Sequence, residues 1–243
     1  MDFALTDEQV ELKEAARAWL GDHFPLDRDW ENQDDRWSEL EELGWLDVEE
    51  AGLGFLEEAL LLEEMGYVCY PGFYLGHVAS VQSDGDIATV DPTRRFHDVE
   101  ETPRFRAAAA AEALGVAQRA LDLGVEHAKT RHQFGKPIGT YQAVSHPLAQ
   151  TYTDVELARS LVYWAAWCVA EQDERAELAA AAAKAFATEA AVAACERSIQ
   201  AHGGIGFTWE HPLHRFYKRA LWLEGVGRRP AELRLEIADA LLA

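Results

Sequence analysis

Residues 104–130, RFRAAAAAEALGVAQRALDLGVEHAKT, decide the fold that the sequence predicts. Alanine has the highest intrinsic helix propensity, and it dominates both the run at 107–113 and a second run at 179–183. Long helices in succession predict a bundle. The helices predicted after residue 103 cover 104–130, 141–171, 176–202, 212–223 and 230–242.

The N-terminal part of the chain also predicts helices. Thr6 and Gln9 form a capping-box pattern ahead of a helix with one apolar face, which is expected to end at Gly21. A short helix is predicted over 35–43. A third, within GFLEEALLLEEMGYVCYPG, is expected to break at Gly66.

Residues 76–103 differ from the rest of the chain. They carry β-branched residues, the turn-forming sequence SDGD and two prolines, which predict two or three short strands or extended segments. The predicted fold class is therefore mainly α. It has a helical unit at 1–75, an extended linker at 76–103 and a four-helix-type bundle at 104–243.

Composition limits the classes of function. The chain has 243 residues, 49% of them apolar, with 43 acidic and 22 basic residues and a net charge of −21. It is predicted to be globular and not to bind nucleic acid, which selects basic surfaces. Any anionic ligand must therefore meet a local cluster of arginines or backbone N–H groups.

Several features predict a cytoplasmic protein. Three widely spaced cysteines without metal-type spacing favour a reducing compartment. The opening MDFALTDEQ lacks the basic and apolar regions of a signal peptide, and charges interrupt the apolar stretches, so no membrane span is expected.

The stretch RHQFGKPIGTYQAV, residues 131–144, carries the first candidate site. Arginine grips phosphate oxygens in a planar fork, and Arg131 lies beside a glycine turn. Phe134 and Tyr141 add flat apolar faces, so a phosphate-bearing ligand with a planar ring would fit. The alternative is an ordinary corner between helices with a solvated arginine, which is the commoner origin of such a cluster.

Two further features carry weaker signals. In QAHGGIGFTWEHP, a helix ending at Gln200 meets glycines that allow a ligand to approach the backbone, although a glycine after a helix is usually only a cap. Glu224 lies in LWLEGVG, where apolar neighbours would raise its pKa and favour action as a base. The alternative is a solvated glutamate at a helix end.

The chain resembles the acyl-CoA dehydrogenase family. RHQFGKPIGTYQAV is similar to the family's RxQFGxPIxxxQA segment, and QAHGGIGFTWEHPLHRFYKRA to its QxxGGxGfxxExpxxRxxRDA segment. The resemblance implies an FAD enzyme that removes a proton from Cα and a hydride from Cβ of an acyl-CoA thioester. It also implies residues that contact the FAD of an adjacent subunit: Arg131, Gln133, Phe134, Tyr141, Gln142, Gln200, Gly203 and Gly204.

The chain departs from the family pattern in two places. The middle β-domain, which lines the flavin ring, is reduced to a remnant around 79–103. Neither position of the family's catalytic base carries a carboxylate: one falls near Phe105, and the other about three residues beyond Glu224.

These departures resemble the short subunit of a heteromeric α2β2 acyl-CoA dehydrogenase. Such a chain would complete the flavin site of a larger partner that supplies the β-domain and the base and binds most of the acyl-CoA, with a steroid side-chain thioester as a candidate substrate. Two alternatives remain open. One is a homomeric dehydrogenase using Glu224, and the other is a helical interaction or regulatory protein that has lost FAD.

Overall fold

The computed structural model describes residues 5–48, 52–72, 74–80 and 101–242. The predicted fold class, mainly α, is confirmed. The elements in chain order are α1 (Asp7–His23), α2 (Trp37–Glu42), α3 (Phe55–Val68), α4 (Tyr74–Ser80), α5 (Pro103–Thr130), β1 (His132–Gln133), β2 (Lys136–Pro137), α6 (Gln142–Ala170), α7 (Ala176–His202), α8 (Leu213–Gly225) and α9 (Pro230–Leu242).

The long helices α5, α6 and α7 form the centre of the bundle, and α5 and α7 share the most extensive contact. The alanine runs at 107–111 and 179–181 are buried there, which lets the helix axes approach closely. Within the described ranges, one helical stretch, Ala176–Phe207, is long and apolar enough to cross a membrane. Because 67% of its apolar window is buried inside the fold, it behaves as the core helix of the bundle.

The capping box at the start of α1 is confirmed. The Thr6 hydroxyl accepts from the Gln9 backbone N–H at 3.2 Å, and the Gln9 side chain accepts from the Thr6 N–H at 3.0 Å. The Gln9 amide also donates to Glu57 of α3 at 2.8 Å. One side chain therefore caps α1 and joins it to its neighbour.

Gly66 and Gly21 do not end helices, so both predicted breaks are wrong. Helix α3 continues to Val68, and α1 continues to His23. Gly66 lies where α3 crosses α5: a Cβ there would stand 2.1 Å from the carbonyl oxygen of Glu112. Across the same crossing, a Cβ on Gly115 would stand 1.8 Å from the carbonyl oxygen of Glu63. Both glycines at this crossing permit close packing of two backbones.

A buried acidic cluster joins α1, α3 and α6 beside this crossing. Glu63 accepts from the Lys13 ammonium at 2.6 Å and from the Tyr163 hydroxyl at 2.7 Å, and it pairs with Arg159. Burial alone would raise the pKa of Glu63. Lys13 and Arg159 outweigh burial and hold that pKa below its usual value, so the carboxylate stays ionised.

The region predicted to be extended is partly helical. Residues 76–80 belong to α4, and α5 already begins at Pro103, while residues 81–100 lie outside the described part. The strands that the described residues do form lie at 132–137, where no strand was predicted. One apolar core runs from α1 through α8 and does not separate the units from one another. The division into units at 1–75, 76–103 and 104–243 stays a prediction.

Candidate flavin-facing site

Arg131 ends α5 and starts a tight hairpin. Strands β1 and β2 pair antiparallel, and Phe134 and Gly135 form the two-residue turn with φ of 52° and 82°. Two positive φ values in succession match the twist of a two-residue hairpin. Glycine adopts this conformation easily, whereas phenylalanine does so at a cost of roughly 1–2 kcal/mol.

The hairpin presents an aromatic ring to the outside. Phe134 is 91% exposed, and its ring meets that of Tyr141 edge to face at 6.3 Å. The Tyr141 hydroxyl donates to the carbonyl of Gln133 at 3.2 Å, and the Lys136 ammonium lies 4.3 Å from the Tyr141 ring centre. Tyr141 therefore fixes the hairpin that carries Phe134.

The second motif begins where α7 ends. Gly203 caps the helix with φ of 66°, and residues 203–207 continue as a 3₁₀ turn. A Cβ on Gly203 or Gly204 would meet no atom within 4 Å, so the backbone there is open on its outer side. On Gly206, in contrast, a Cβ would stand 2.7 Å from the carbonyl oxygen of Ile199. The first two glycines thus leave a surface that a ligand can approach.

A stack of three histidines brings the two motifs to the same end of the bundle. The rings of His127 and His202 lie 4.1 Å apart, and those of His202 and His211 lie 4.4 Å apart. Burial lowers the pKa of all three, to about 4 for His211, so the stack is neutral at pH 7. In the described part of the chain, no group of His, Cys, Asp or Glu could hold a metal ion.

Most of the predicted flavin contacts are exposed at this end. His127 precedes Arg131 by one helical turn, and His202 adjoins Gly203, so the stack fixes the two motifs side by side. Tyr141 and Gly203 are half-buried. The exposed members of the predicted set are Arg131, Gln133, Phe134, Gln142, Gln200 and Gly204. Their role toward FAD stays a prediction. The histidine stack was missed because its members are far apart in sequence.

Glu224 is half-buried near the end of α8. Partial burial raises its pKa, and the carboxylates of Glu189 and Glu196 on α7 add to that rise. The positive charge of Arg229 acts in the opposite direction and lowers that pKa.

A carboxylate, that of Glu101, lies beside one of the two positions at which the resemblance places the family's base. Phe105 is buried near the start of α5, and a Cβ on Gly227 would stand 2.0 Å from the Glu101 carboxylate. Glu101 pairs with Lys184 at 3.2 Å and with Arg106 at 3.3 Å. Burial would raise the pKa of Glu101, but the Arg228 N–H and these cations lower it. The negative charge of Glu101 is therefore already balanced by these positive groups.

Comparison with known proteins identifies the family. Residues 100–227 match the acyl-CoA dehydrogenase C-terminal domain, and residues 6–90 match the acyl-CoA dehydrogenase N-terminal domain. The first match alone covers more than half of the chain. The chain belongs to the acyl-CoA dehydrogenase family.

Individual acyl-CoA dehydrogenases are similar to this chain over part of their length. It is 43% identical to the acyl-CoA dehydrogenase IpdE2 of Mycobacterium tuberculosis over 146 residues, which are 55% of this chain and 44% of that protein. The matches span less than half the length of the curated relatives concerned.

Solved acyl-CoA dehydrogenase structures share the fold. A chain of the ChsE4-ChsE5 complex from Mycobacterium tuberculosis superposes with a TM-score of 0.81 at 21% identity, covering 100% of this chain and 99% of that one. The Tcur3481-Tcur3483 steroid ACAD G363A variant gives 0.79 at 24% identity, covering 97% and 98%. At these identities the likeness shows the fold alone.

Proposed function

We propose that this chain is the short subunit of a heteromeric, FAD-dependent acyl-CoA dehydrogenase. Its helical bundle completes the flavin site of a larger partner subunit. The observation that carries the proposal is the convergence of two motifs on one open face, where Arg131, Phe134 and the backbone of Gly203 and Gly204 are available to a ligand from outside.

The groups on this face suit a flavin dinucleotide. The Arg131 guanidinium offers paired N–H donors to a pyrophosphate, and the side-chain amides of Gln133, Gln142 and Gln200 offer further donors. Phe134 offers its ring face to a planar group. FAD, when bound, supplies the hydride acceptor for desaturation of an acyl-CoA, and this chain's residues hold and orient it.

The catalytic base is assigned to the partner. Of the two base positions, one falls near Phe105 and the other near Gly227, and the Glu101 ion network fills the space beside Gly227. A carboxylate paired with Lys184 and Arg106 has a lowered pKa and is a weak base. Most of the acyl-CoA site is therefore also placed in the partner.

An apolar groove beside the hairpin supports docking of a larger subunit. It lies between α5 and α6 with a volume of about 670 Å³, and its walls include Leu121, Val125, Leu148 and Tyr152. Phe134 and Phe207 add exposed rings at 91% and 73% exposure. Apolar surface of this kind typically marks a protein interface. The proposed assembly is an α2β2 heterotetramer in the cytoplasm.

The substrate class follows by analogy with the structural neighbours. One neighbour is a steroid ACAD, and another comes from a complex of two named chains. A steroid side-chain CoA thioester is accordingly the first substrate to test. Fold likeness alone does not determine a substrate, so the assembled complex is assayed with this thioester.

The test is co-purification. We expect the chain alone to be colourless and inactive, and to become part of a yellow, active complex when co-expressed with a full-length acyl-CoA dehydrogenase encoded beside it. The measurement is flavin absorbance per chain together with dye-linked dehydrogenase activity. Full flavin occupancy in the isolated chain would refute the proposal.

Replacing Arg131 with alanine is expected to weaken flavin retention in the complex about tenfold to hundredfold. A charge-assisted hydrogen bond typically contributes about 1.5–3 kcal/mol, which corresponds to that range. Lysine should restore only part of the affinity because it lacks the planar fork. The measurement is FAD dissociation from the co-purified complex, with circular dichroism to monitor folding.

The matched control for Arg131→Ala is Arg175→Ala. Arg175 is exposed and precedes the first residue of α7, at the end of that helix opposite to Gly203. It should leave flavin retention unchanged. If Arg131→Ala behaves like Arg175→Ala, the motif is a remnant of ancestry, and an interaction protein without FAD becomes the better description.

Glu224→Gln is expected to leave most of the turnover of the complex intact. A catalytic base contributes roughly 10²–10⁴-fold, and Glu224 lies about three residues before the position of the family's base. The measurement is kcat of the purified complex. A loss of a hundredfold or more would place the active site on this chain and support a homomeric enzyme.

A further inference from the structure

A second cavity is lined in part by the C-terminal half of the second motif, from Trp209 to Arg219. It has a volume of about 740 Å³, within the range of small-molecule sites, and lies between the loop at 30–33, residues 69–72, the start of α4, and α8. None of the predicted flavin contacts lines it. We name it the tryptophan cavity after Trp30, Trp209 and Trp222 in its wall.

Three cations of α8 line the tryptophan cavity. Arg215, Lys218 and Arg219 follow the i, i+3, i+4 spacing and so share one helix face. This clustering is notable because the chain has about twice as many acidic as basic residues. An anion that enters the cavity therefore meets positive charge that the surface as a whole does not offer.

The three cations differ in how they are neutralised. Buried Glu112 holds Arg219 through two bonds of 2.5 and 2.8 Å. Arg215 reaches Glu31 at 2.6 Å, but that carboxylate is 74% exposed, so the pair is weak. Among the described residues, no carboxylate lies within 4.0 Å of the Lys218 ammonium. Arg219 is thus fixed in the wall, while Lys218 and Arg215 are available to a ligand.

Each cation lies against a tryptophan. The Lys218 ammonium is 4.1 Å from the ring centre of Trp209, the Arg215 guanidinium is 5.2 Å from that of Trp30, and the Arg219 guanidinium is 4.1 Å from that of Trp222. Trp209 is 72% exposed at the rim. An exposed indole next to a cation gives an anionic ring system both an apolar face to cover and a charge to pair with.

A further cation, Arg28, lies against Trp30 of the cavity wall. Arg28 packs on Trp30 at 3.6 Å and donates to the carbonyls of Val68 and Cys69 at 2.8 and 2.9 Å. Burial lowers the pKa of Arg28 to about 10, and the positive charges of Arg215 and Arg119 contribute to that fall. Arg215 of the cavity wall is thus close enough to contribute to the lowered pKa of Arg28, although burial is the largest cause.

We propose that the tryptophan cavity binds a small anion that carries a flat aromatic ring, either an aryl carboxylate or a nucleotide. The ring covers Trp209, and the anionic group pairs with Lys218 and Arg215. When Arg215 pairs with the anion, it loses only its ion pair with the solvated Glu31. None of the predicted flavin contacts takes part, so the proposal does not depend on the proposed flavin face.

The test is isothermal titration calorimetry of the full chain with 2-naphthoate and, in parallel, with AMP. The uncharged counterparts 2-naphthalenemethanol and adenosine serve as reference ligands. We expect at least one anion to bind at least tenfold more tightly than its counterpart, because the anionic group makes charge-assisted bonds. Binding of 2-naphthoate alone identifies an aryl carboxylate site, and binding of AMP alone identifies a nucleotide site.

Variants locate the ligand. Lys218→Ala is expected to weaken binding about tenfold, and Trp209→Ala several-fold, with circular dichroism as a folding control. Both side chains are exposed, so both variants are expected to fold. Lys129→Ala, which alters an exposed lysine at the groove between α5 and α6, should change nothing.

The proposal is overturned by any of four results. These are no binding of either anion, equal binding of the uncharged counterparts, an unchanged affinity in Lys218→Ala, or a loss of binding in Lys129→Ala. AMP binding that is abolished by Arg131→Ala but retained in Lys218→Ala would place the nucleotide at the flavin face and would equally overturn it.

Discussion

Gly115→Ala is expected to destabilise the chain by about 3 kcal/mol. The new Cβ would stand 1.8 Å from the carbonyl oxygen of Glu63 and 2.7 Å from the backbone nitrogen of Tyr67, so α3 and α5 must move apart. Overpacking of a core costs typically 1–3 kcal/mol, and here the clash is with backbone, which yields less than a side chain. The measurement is urea unfolding followed by far-UV circular dichroism.

Gly21→Ala is the matched control for Gly115→Ala. Gly21 also lies inside a helix, but a Cβ there meets no atom within 4 Å. Alanine should therefore stabilise α1 by about 0.5–1 kcal/mol through helix propensity. If the two variants shift the free energy of unfolding alike, close approach at the α3–α5 crossing is not the reason for Gly115.

Glu63→Gln is expected to cost about 3 kcal/mol. It removes the negative charge from a carboxylate whose side chain is 1% exposed, leaving Lys13 and Arg159 without their shared partner. Breaking a buried ion pair by removing one member costs about 3–5 kcal/mol, and partial solvation of the two cations favours the lower end. The control is Glu156→Gln, an exposed neighbour of Arg159, which should cost less than about 0.5 kcal/mol.

The pH dependence of the Glu63 effect has a defined sign. Because the pKa of Glu63 is lowered in the folded chain from its usual 4.5, the unfolded chain binds its proton first as the pH falls. The stability from this carboxylate is full above pH 4.5 and is lost as the pH falls through the folded pKa. The difference between wild type and Glu63→Gln should therefore narrow below pH 4.5. A constant difference would show that the mutation acts through shape and not through charge.

Local signals in the sequence predicted the helices well. The capping box at Thr6 and the glycine after His202 act through neighbours within a few residues, and the helix predicted at 176–202 has those bounds in the structure. Gly66 was misjudged because its role depends on Glu112, 46 residues away along the chain. A glycine at a helix crossing and a glycine at a helix end look alike until the partner is known.

In the candidate site, too, local signals were visible in the sequence and long-range contacts were not. The order and spacing of its two motifs indicated the family and the residues to examine, such as Arg131 and Gly203. The Glu101 network was not predicted, since Lys184 lies 83 residues away from Glu101 along the chain. The roles of the exposed residues are also not determined by this chain's own packing, because a contact across a subunit interface depends on atoms of another chain.

The hairpin at Phe134 has a consequence for the speed and strength of association. The two-residue turn and the hydrogen bond from Tyr141 to Gln133 fix its left-handed backbone. The free-energy cost of that conformation is therefore part of folding and not of binding. A molecule that binds over the Phe134 ring therefore meets a loop that is already ordered. Rigidity of this kind raises affinity by removing the entropy loss of ordering a loop on binding. The hairpin is thus a preorganised anchor, and a more flexible turn at 134–135 would weaken association without removing a single contact.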